Sequence, residues 1–127
     1  MSQPETSAVG VMLVDDQASF RDALRDLVAA TEGFVILGEA DSGEAAVDAV
    51  ARLAPRLVIM DKRMPGIGGV EATRQIKDRN PEIVVILTSV EDPADEALLR
   101  SCGASGFIRK RDFSPAALVD LWRTHGA

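Results

Sequence analysis

The segment "LVIMDKRMPGIGG" (57–69) decides how the rest of the chain is read. Four apolar residues, Leu57 to Met60, run into one carboxylate, Asp61, and then into Lys62, Arg63, Pro65 and three glycines. A short apolar run without polar alternation suits a strand covered on both faces. An acid at its end, followed by a loosened backbone, puts a charged side chain at the carboxyl edge of a buried sheet.

Working outward, similar runs recur as "VMLV" (11–14), "FVILG" (34–38), "IVVIL" (83–87) and "GFI" (106–108). Between them lie helical stripes. Phe20, Leu24, Leu27 and Val28 share one helical face, as do Val47, Val50 and Leu53. Val70, Thr73 and Ile76 form a third stripe, Leu98 and Leu99 mark a fourth helix, and Leu118, Leu121 and Trp122 a fifth. Punctuation agrees: Gly33 and Gly103 stand at helix ends, Pro55 and Pro81 stop helices two and three, and Asp92-Pro93 and Ser114-Pro115 read as N-cap followed by proline. Strand and helix alternate five times. That rhythm predicts an α/β fold: a single, doubly wound, five-stranded parallel sheet with right-handed crossovers. One domain is expected over 10–127, preceded by a disordered or extended segment over 1–9.

Composition narrows the function. The 127 residues carry a formal net charge of −6, which argues against a nucleic-acid surface. The one cysteine, Cys102, can form no internal disulfide, which suits a reducing cytoplasm. The start "MSQPETSAVG" has no basic or apolar stretch of a signal peptide, and no apolar run is long enough to span a bilayer.

The polar residues fall in a pattern. Strand one ends on Asp15 and Asp16, strand three on Asp61, strand four on Thr88 and Ser89, and strand five near Lys110. Any one alone would read as a helix cap or turn residue. In an open α/β sheet, however, ligands bind outside the carboxyl ends of the strands, where the strand order reverses. With order 2-1-3-4-5, all these groups meet in one pocket. Three carboxylates there repel one another and call for a cation. No His or Cys lies near, so hard oxygen donors point to Mg²⁺, with Mn²⁺ able to substitute. Lys110 adds a compact positive charge and Thr88 a hydroxyl donor for an incoming phosphoryl group. A carboxylate in that company is a candidate phosphoryl acceptor, since aspartyl phosphate is a known covalent intermediate.

Four motifs, "LVDD" (13–16), "IMDKRMPG" (59–66), "ILTS" (86–89) and "CGASGFIRK" (102–110), resemble in order and spacing the receiver domain of bacterial two-component response regulators. The resemblance implies a flavodoxin-like (βα)5 fold and phosphorylation of Asp61 by a histidine kinase or phosphotransfer protein. It implies Mg²⁺ held by Asp16 and Asp61, by Asp15 through water, and by the Arg63 backbone carbonyl. Thr88, Ser89 and Lys110 would hold the phosphoryl group. Phe107 would be the aromatic switch, reshaping the surface of helix four, strand five and helix five for a partner or a second copy. "LTSVED" and "GFIRKRDFS" look most like receivers that precede a helix-turn-helix DNA-binding domain, so the chain reads either as a single-domain regulator or as the receiver of a longer one. This domain itself is expected to touch neither nucleic acid nor membrane, and to be no enzyme beyond self-phosphorylation from donors and autodephosphorylation.

There are departures from the family pattern. Gly68 stands where an Asp is common, Arg111 rather than proline follows Lys110, and Phe107 lacks a phenolic hydroxyl. An alternative is a haloacid-dehalogenase-like phosphohydrolase with Asp61 as nucleophile, but that class needs a second Asp where Arg63 stands. No GxxxxGK[ST] is present, and no GxGxxG follows strand one, as a nucleotide-binding reading would require. Arg63 reads equally as a cation across the pocket mouth or a solvated loop residue. Cys102 reads as a small buried group on helix four, His125 as part of a fraying terminus, and Trp122 as packing on the helix-five stripe.

Overall fold

The computed structural model describes residues 8–91 and 96–126. Its strands are β1 (Val9–Val14), β2 (Phe34–Ala40), β3 (Leu57–Asp61), β4 (Val84–Ser89) and β5 (Gly106–Arg109). The helices are α1 (Ala18–Ala29), α2 (Gly43–Leu53), α3 (Gly68–Arg79), α4 (Glu96–Ser101) and α5 (Pro115–His125). All strand pairs are parallel, in the order β2-β1-β3-β4-β5. The expected doubly wound flavodoxin-like architecture is what the chain adopts.

Two cores flank the sheet. On one face Met12, Val14, Val58, Met60, Val85 and Leu87 pack with Ala46 and Val50 of α2, Ala72 and Ile76 of α3 and Leu99 of α4. On the other, Val11, Leu13, Leu57, Ile59, Val84 and Ile86 pack with Leu24 and Val28 of α1 and Leu118 of α5. Every residue of β1, β3 and β4 is buried, which is why their sequences show no alternation. β2 is an edge strand. It alternates, with Val35 and Leu37 among the exposed apolar residues, so the expectation of cover on both faces fails there.

Local chemistry sets the element ends. Ser114 caps α5 by accepting from the Ala117 N–H, with Pro115 at the first helical position, as read from the sequence. α2 ends on Ala54, in the left-handed region (φ 50°), directly before Pro55. Gly103 (φ 91°) closes the turn after α4. The Asp92-Pro93 cap lies outside the described residues. So do residues 1–7 of the expected N-terminal segment, while Val9, expected within that segment, already pairs in β1. His125 is a correction as well: it is the last residue of α5, and its ring lies over Gly106, where an added Cβ would meet Nε2 at 2.9 Å. Cys102 is buried one residue beyond α4, its thiol donating to the Leu99 carbonyl. Trp122 packs at the edge of the second core, with Arg56 over its ring. Among the described residues no helix is long and apolar enough to cross a membrane.

Candidate functional site

Strand order reverses between β1 and β3, because β1 hands on to β2 on one side while β3 continues to β4 on the other. The crevice is therefore expected above Val14 and Asp61. Parallel register there aligns Val14 with Met60 and Asp61 with Thr88. Carboxylate oxygens of Asp15, Asp16 and Asp61 come within 4.8 Å of one another. Asp15 and Asp61 are buried, at 2% and 6% exposure, whereas Asp16 faces solvent.

Lys110 reaches in from a 3-10 turn (Lys110–Asp112) just after β5. Its Nζ lies 2.7 Å from Asp15 Oδ2 and 3.5 Å from Asp61 Oδ2, and 4.6 Å from the centre of the Phe20 ring. The ammonium thus sits between two buried acids and one aromatic face. The contact with Asp15 Oδ2 is an ion pair without hydrogen-bond alignment, and that oxygen has no other hydrogen-bond partner. Asp15 Oδ1 accepts from the Gln17 N–H at 2.8 Å. A buried carboxylate oxygen lacking an aligned donor, beside two further carboxylates, is a donor set that fits a hard divalent cation.

Burial pushes the Asp61 carboxyl above its ordinary pKa, and the Asp15 charge adds to this, while Lys110 and the Arg63 N–H pull the other way. Asp61 Oδ1 accepts from the Arg63 N–H at 3.4 Å and Oδ2 from Lys110.

The loop after Asp61 is held from several sides. Met64 is buried in the first core. The Glu44 carboxylate of α2 accepts from the Ile67 N–H at 3.3 Å and fills the space that a Cβ on Gly66, whose φ is 84°, would take. The Lys62 N–H donates to the Thr88 carbonyl at 2.7 Å, which ties the loop to β4. Gly68 has φ 78°, a backbone that favours glycine, and α3 starts without a side-chain cap. Arg63 Nη2 lies 3.8 Å from Glu91 Oε1, so its side chain crosses from this loop to the one after β4, although both groups are exposed. Thr88 and Ser89 are buried, and Ser89 Oγ accepts from the Glu91 N–H. Phe107 is half-buried against the first core and registers with Leu87, one residue short of Thr88.

Sequence reasoning missed three supports of the site: Arg21, whose guanidinium donates to the Asp15 carbonyl, Glu44, and Gly69. Only the third left a signal, as the last glycine of the opening segment. A Cβ on Gly69 would collide with the Asp61 carbonyl oxygen and lie 3.0 Å from both the Asp61 carbonyl carbon and Lys62 Cα. Gly69→Ala therefore forces the first turn of α3 off the end of β3. We expect a loss of about 1–3 kcal/mol, the usual cost of overpacking, together with displaced Asp61 and Lys62 amide resonances. Wild-type urea unfolding with unshifted resonances would refute it.

The chain as a whole resembles known proteins. Residues 11–123 match the family model described as the response regulator receiver domain. Response regulator GacA of Pseudomonas viridiflava is 39% identical over 104 residues, covering 80% of this chain and 48% of GacA. The transcriptional regulatory protein DegU of Brevibacillus brevis is 32% identical over 121 residues, covering 93% of this chain and 50% of DegU. The chain thus spans about half the length of these curated relatives. A LuxR-family two-component response regulator from Aurantimonas sp. SI85-9A1 superposes with a TM-score of 0.81 at 31% identity, over 90% of this chain and 81% of that one. The response regulator domain of Thermotoga maritima CheB gives 0.84 at 27% identity, over 94% and 98%.

Proposed function

The chain belongs to the receiver-domain family of bacterial two-component response regulators, and from that membership we propose that Asp61 accepts a phosphoryl group from the phosphohistidine of a sensor kinase or phosphotransfer protein in the cytoplasm. The observation that carries this reading is the convergence on Asp61, at the end of the central β3, of Asp15, Asp16 and Lys110. An Asp61 carboxylate oxygen forms the new P–O bond as the P–N bond of the phosphohistidine breaks, and the electron pair of that bond stays on the departing imidazole nitrogen. Lys110 supplies the fixed positive charge for the phosphoryl oxygens, and the Thr88 hydroxyl and Ser89 lie beside them.

Asp16, Asp61, the Arg63 carbonyl and, through water, Asp15 would hold Mg²⁺, or Mn²⁺ in its place. When bound, the ion would offset the clustered carboxylate charge and that of the incoming phosphoryl group. The domain is a signalling module rather than a turnover enzyme. A dehalogenase-like phosphohydrolase is not favoured, because Arg63 holds the place of its second acid. Incubation with acetyl phosphate and Mg²⁺ separates the two. Uptake of one phosphoryl group per chain supports the acceptor reading, and sustained release of phosphate over many turnovers refutes it.

The output of the switch is read as running from Thr88 to the α4-β5-α5 surface. A phosphoryl group on Asp61 adds charge and strong acceptor oxygens, which draw the Thr88 hydroxyl toward it. Phe107 is one register step away on the neighbouring strand. With no hydroxyl to anchor it, its ring answers to packing alone, so its inward and outward positions differ little in energy. The surface around Leu98, Leu99 and Trp122 would then reshape to control a partner, a second copy or a DNA-binding output domain. A beryllofluoride mimic on Asp61 is expected to shift Thr88, Phe107 and the α4 resonances together. A loaded protein in which all three stay fixed would rule out this route.

A further inference from the structure

We propose that Arg21 is a positioning residue for the acid pair: it locks the peptide joining Asp15 to Asp16 and so aims Asp16 at the cation site. The proposal rests on the metal binding proposed for Asp15, Asp16 and Asp61. Arg21 lies on α1, and its Nη1 donates to the Asp15 carbonyl oxygen at 2.6 Å. Its Nε donates to Glu39 Oε1 at 3.3 Å, and Glu39 Oε2 accepts from Arg25 Nη1 at 3.1 Å. Glu39 is in β2 beside Ala40, whose carbonyl accepts from the Asp15 N–H at 3.1 Å. The Asp15 backbone is thus gripped on both sides, through its N–H by the end of β2 and through its C=O by a guanidinium tied to the same strand. That C=O belongs to the peptide whose nitrogen is that of Asp16. Fixing its plane fixes the direction in which Asp16, exposed and outside the sheet, presents its carboxylate. Arg21 is partly buried (20% exposed), and its planar fork makes both bonds at once, which an ammonium cannot do in the same geometry.

The sign of the effect tests the role. By charge alone, a guanidinium beside an acidic cluster repels Mg²⁺, so removing it should tighten binding. Positioning predicts the opposite. The full chain and its Arg21→Ala, Arg21→Lys and Arg25→Ala variants are titrated with MgCl₂. Hydrogen exchange of the Gln17 amide, which bonds Asp15 Oδ1, is measured without metal. Arg21→Ala and Arg21→Lys are each expected to weaken Mg²⁺ about tenfold, the usual scale for a group that orients a metal ligand, and to speed Gln17 exchange. Arg25→Ala, which removes a cation that does not touch Asp15, is expected to leave binding unchanged or tighter. Unchanged or tighter binding in Arg21→Ala, or wild-type binding in Arg21→Lys, overturns the proposal. If Arg21→Ala does not fold, the lysine variant decides. If the wild type itself takes up no Mg²⁺, the metal reading fails, and Gln17 exchange alone then decides: a wild-type rate in Arg21→Lys overturns the lock.

Discussion

Asp61→Asn protein is expected to take up no label from radiolabelled acetyl phosphate in Mg²⁺, where the wild type is expected to take up one phosphoryl group per chain. Asp61 ends the central strand facing Lys110, and no other carboxylate near Lys110 combines that place with the loop to α3. Asp15 is buried behind it with Oδ1 committed to Gln17, and Asp16 is solvent-facing. Label retained on the Asn variant would end the assignment. The same substitution carries a second expectation. The folded protein holds the Asp61 proton more tightly than the unfolded chain does, chiefly because of burial and then because of the Asp15 charge. Stability tied to that proton is fully present below the ordinary carboxylate pKa of about 4 and is lost as pH rises through the raised value. Asn carries no charge at any pH. Without metal, Asp61→Asn should therefore melt above the wild type at pH 7, and the gap should close in acid. A variant that melts below the wild type at neutral pH would contradict the cause assigned here.

Lys110→Ala is expected to destabilise the metal-free protein strongly. The lysine side chain is 10% exposed, and those of Asp15 and Asp61 are 3% and 8% exposed. Removing the cation leaves two buried carboxylates facing each other with no counter-charge. Breaking such a buried pair costs about 3 kcal/mol or more. Protonation relieves part of the repulsion, so the loss should shrink as pH falls toward 4. Mg²⁺ bound at the proposed site would supply replacement charge to the same oxygens, so saturating metal should recover part of the lost stability. The test is urea unfolding of both proteins at pH 7 and in acid, with EDTA and with MgCl₂. A wild-type midpoint in EDTA at pH 7 would mean that Lys110 contributes nothing to holding the acids together. Phosphorylation should also fall if Lys110 meets the phosphoryl oxygens as proposed, because that ammonium is gone.

Much of this architecture is legible from residue order alone. Unbroken apolar runs from Val11, Leu57 and Ile83, alternating with helical stripes, can bury themselves only in a parallel sheet covered on both faces. The acidic pocket is legible too, because a parallel sheet gathers every strand's carboxyl end on one edge. Asp15, Asp16, Asp61, Thr88 and Lys110 each stand at or just past the end of an apolar run. β2 deceives that reading, since "FVILG" looks as apolar as its neighbours while only its partnerless edge tells that Val35 and Leu37 are exposed.

What the sequence by itself determined was therefore the α/β alternation and the set of polar residues at the strand ends, while the strand order came with the resemblance to receiver domains. Hydrophobic period and turn chemistry are local, so they are written in neighbouring residues. Tertiary structure alone decided how those acids are held. Arg21 bonds the Asp15 carbonyl from α1, Glu44 reaches Ile67 from α2, and Gly69 lies against the Asp61 peptide. Arg63 meets Glu91 across the pocket mouth for the same reason, and Lys110 lies closer to Asp15 than to Asp61. None of these has a period. Arg21 and Glu44 sit on exposed or half-buried helix positions where any polar residue would satisfy the pattern. Their partners are fixed only when α1 and α2 dock on opposite faces of the sheet, because a hydrogen bond depends on distances of a few tenths of an ångström that no spacing along the chain records.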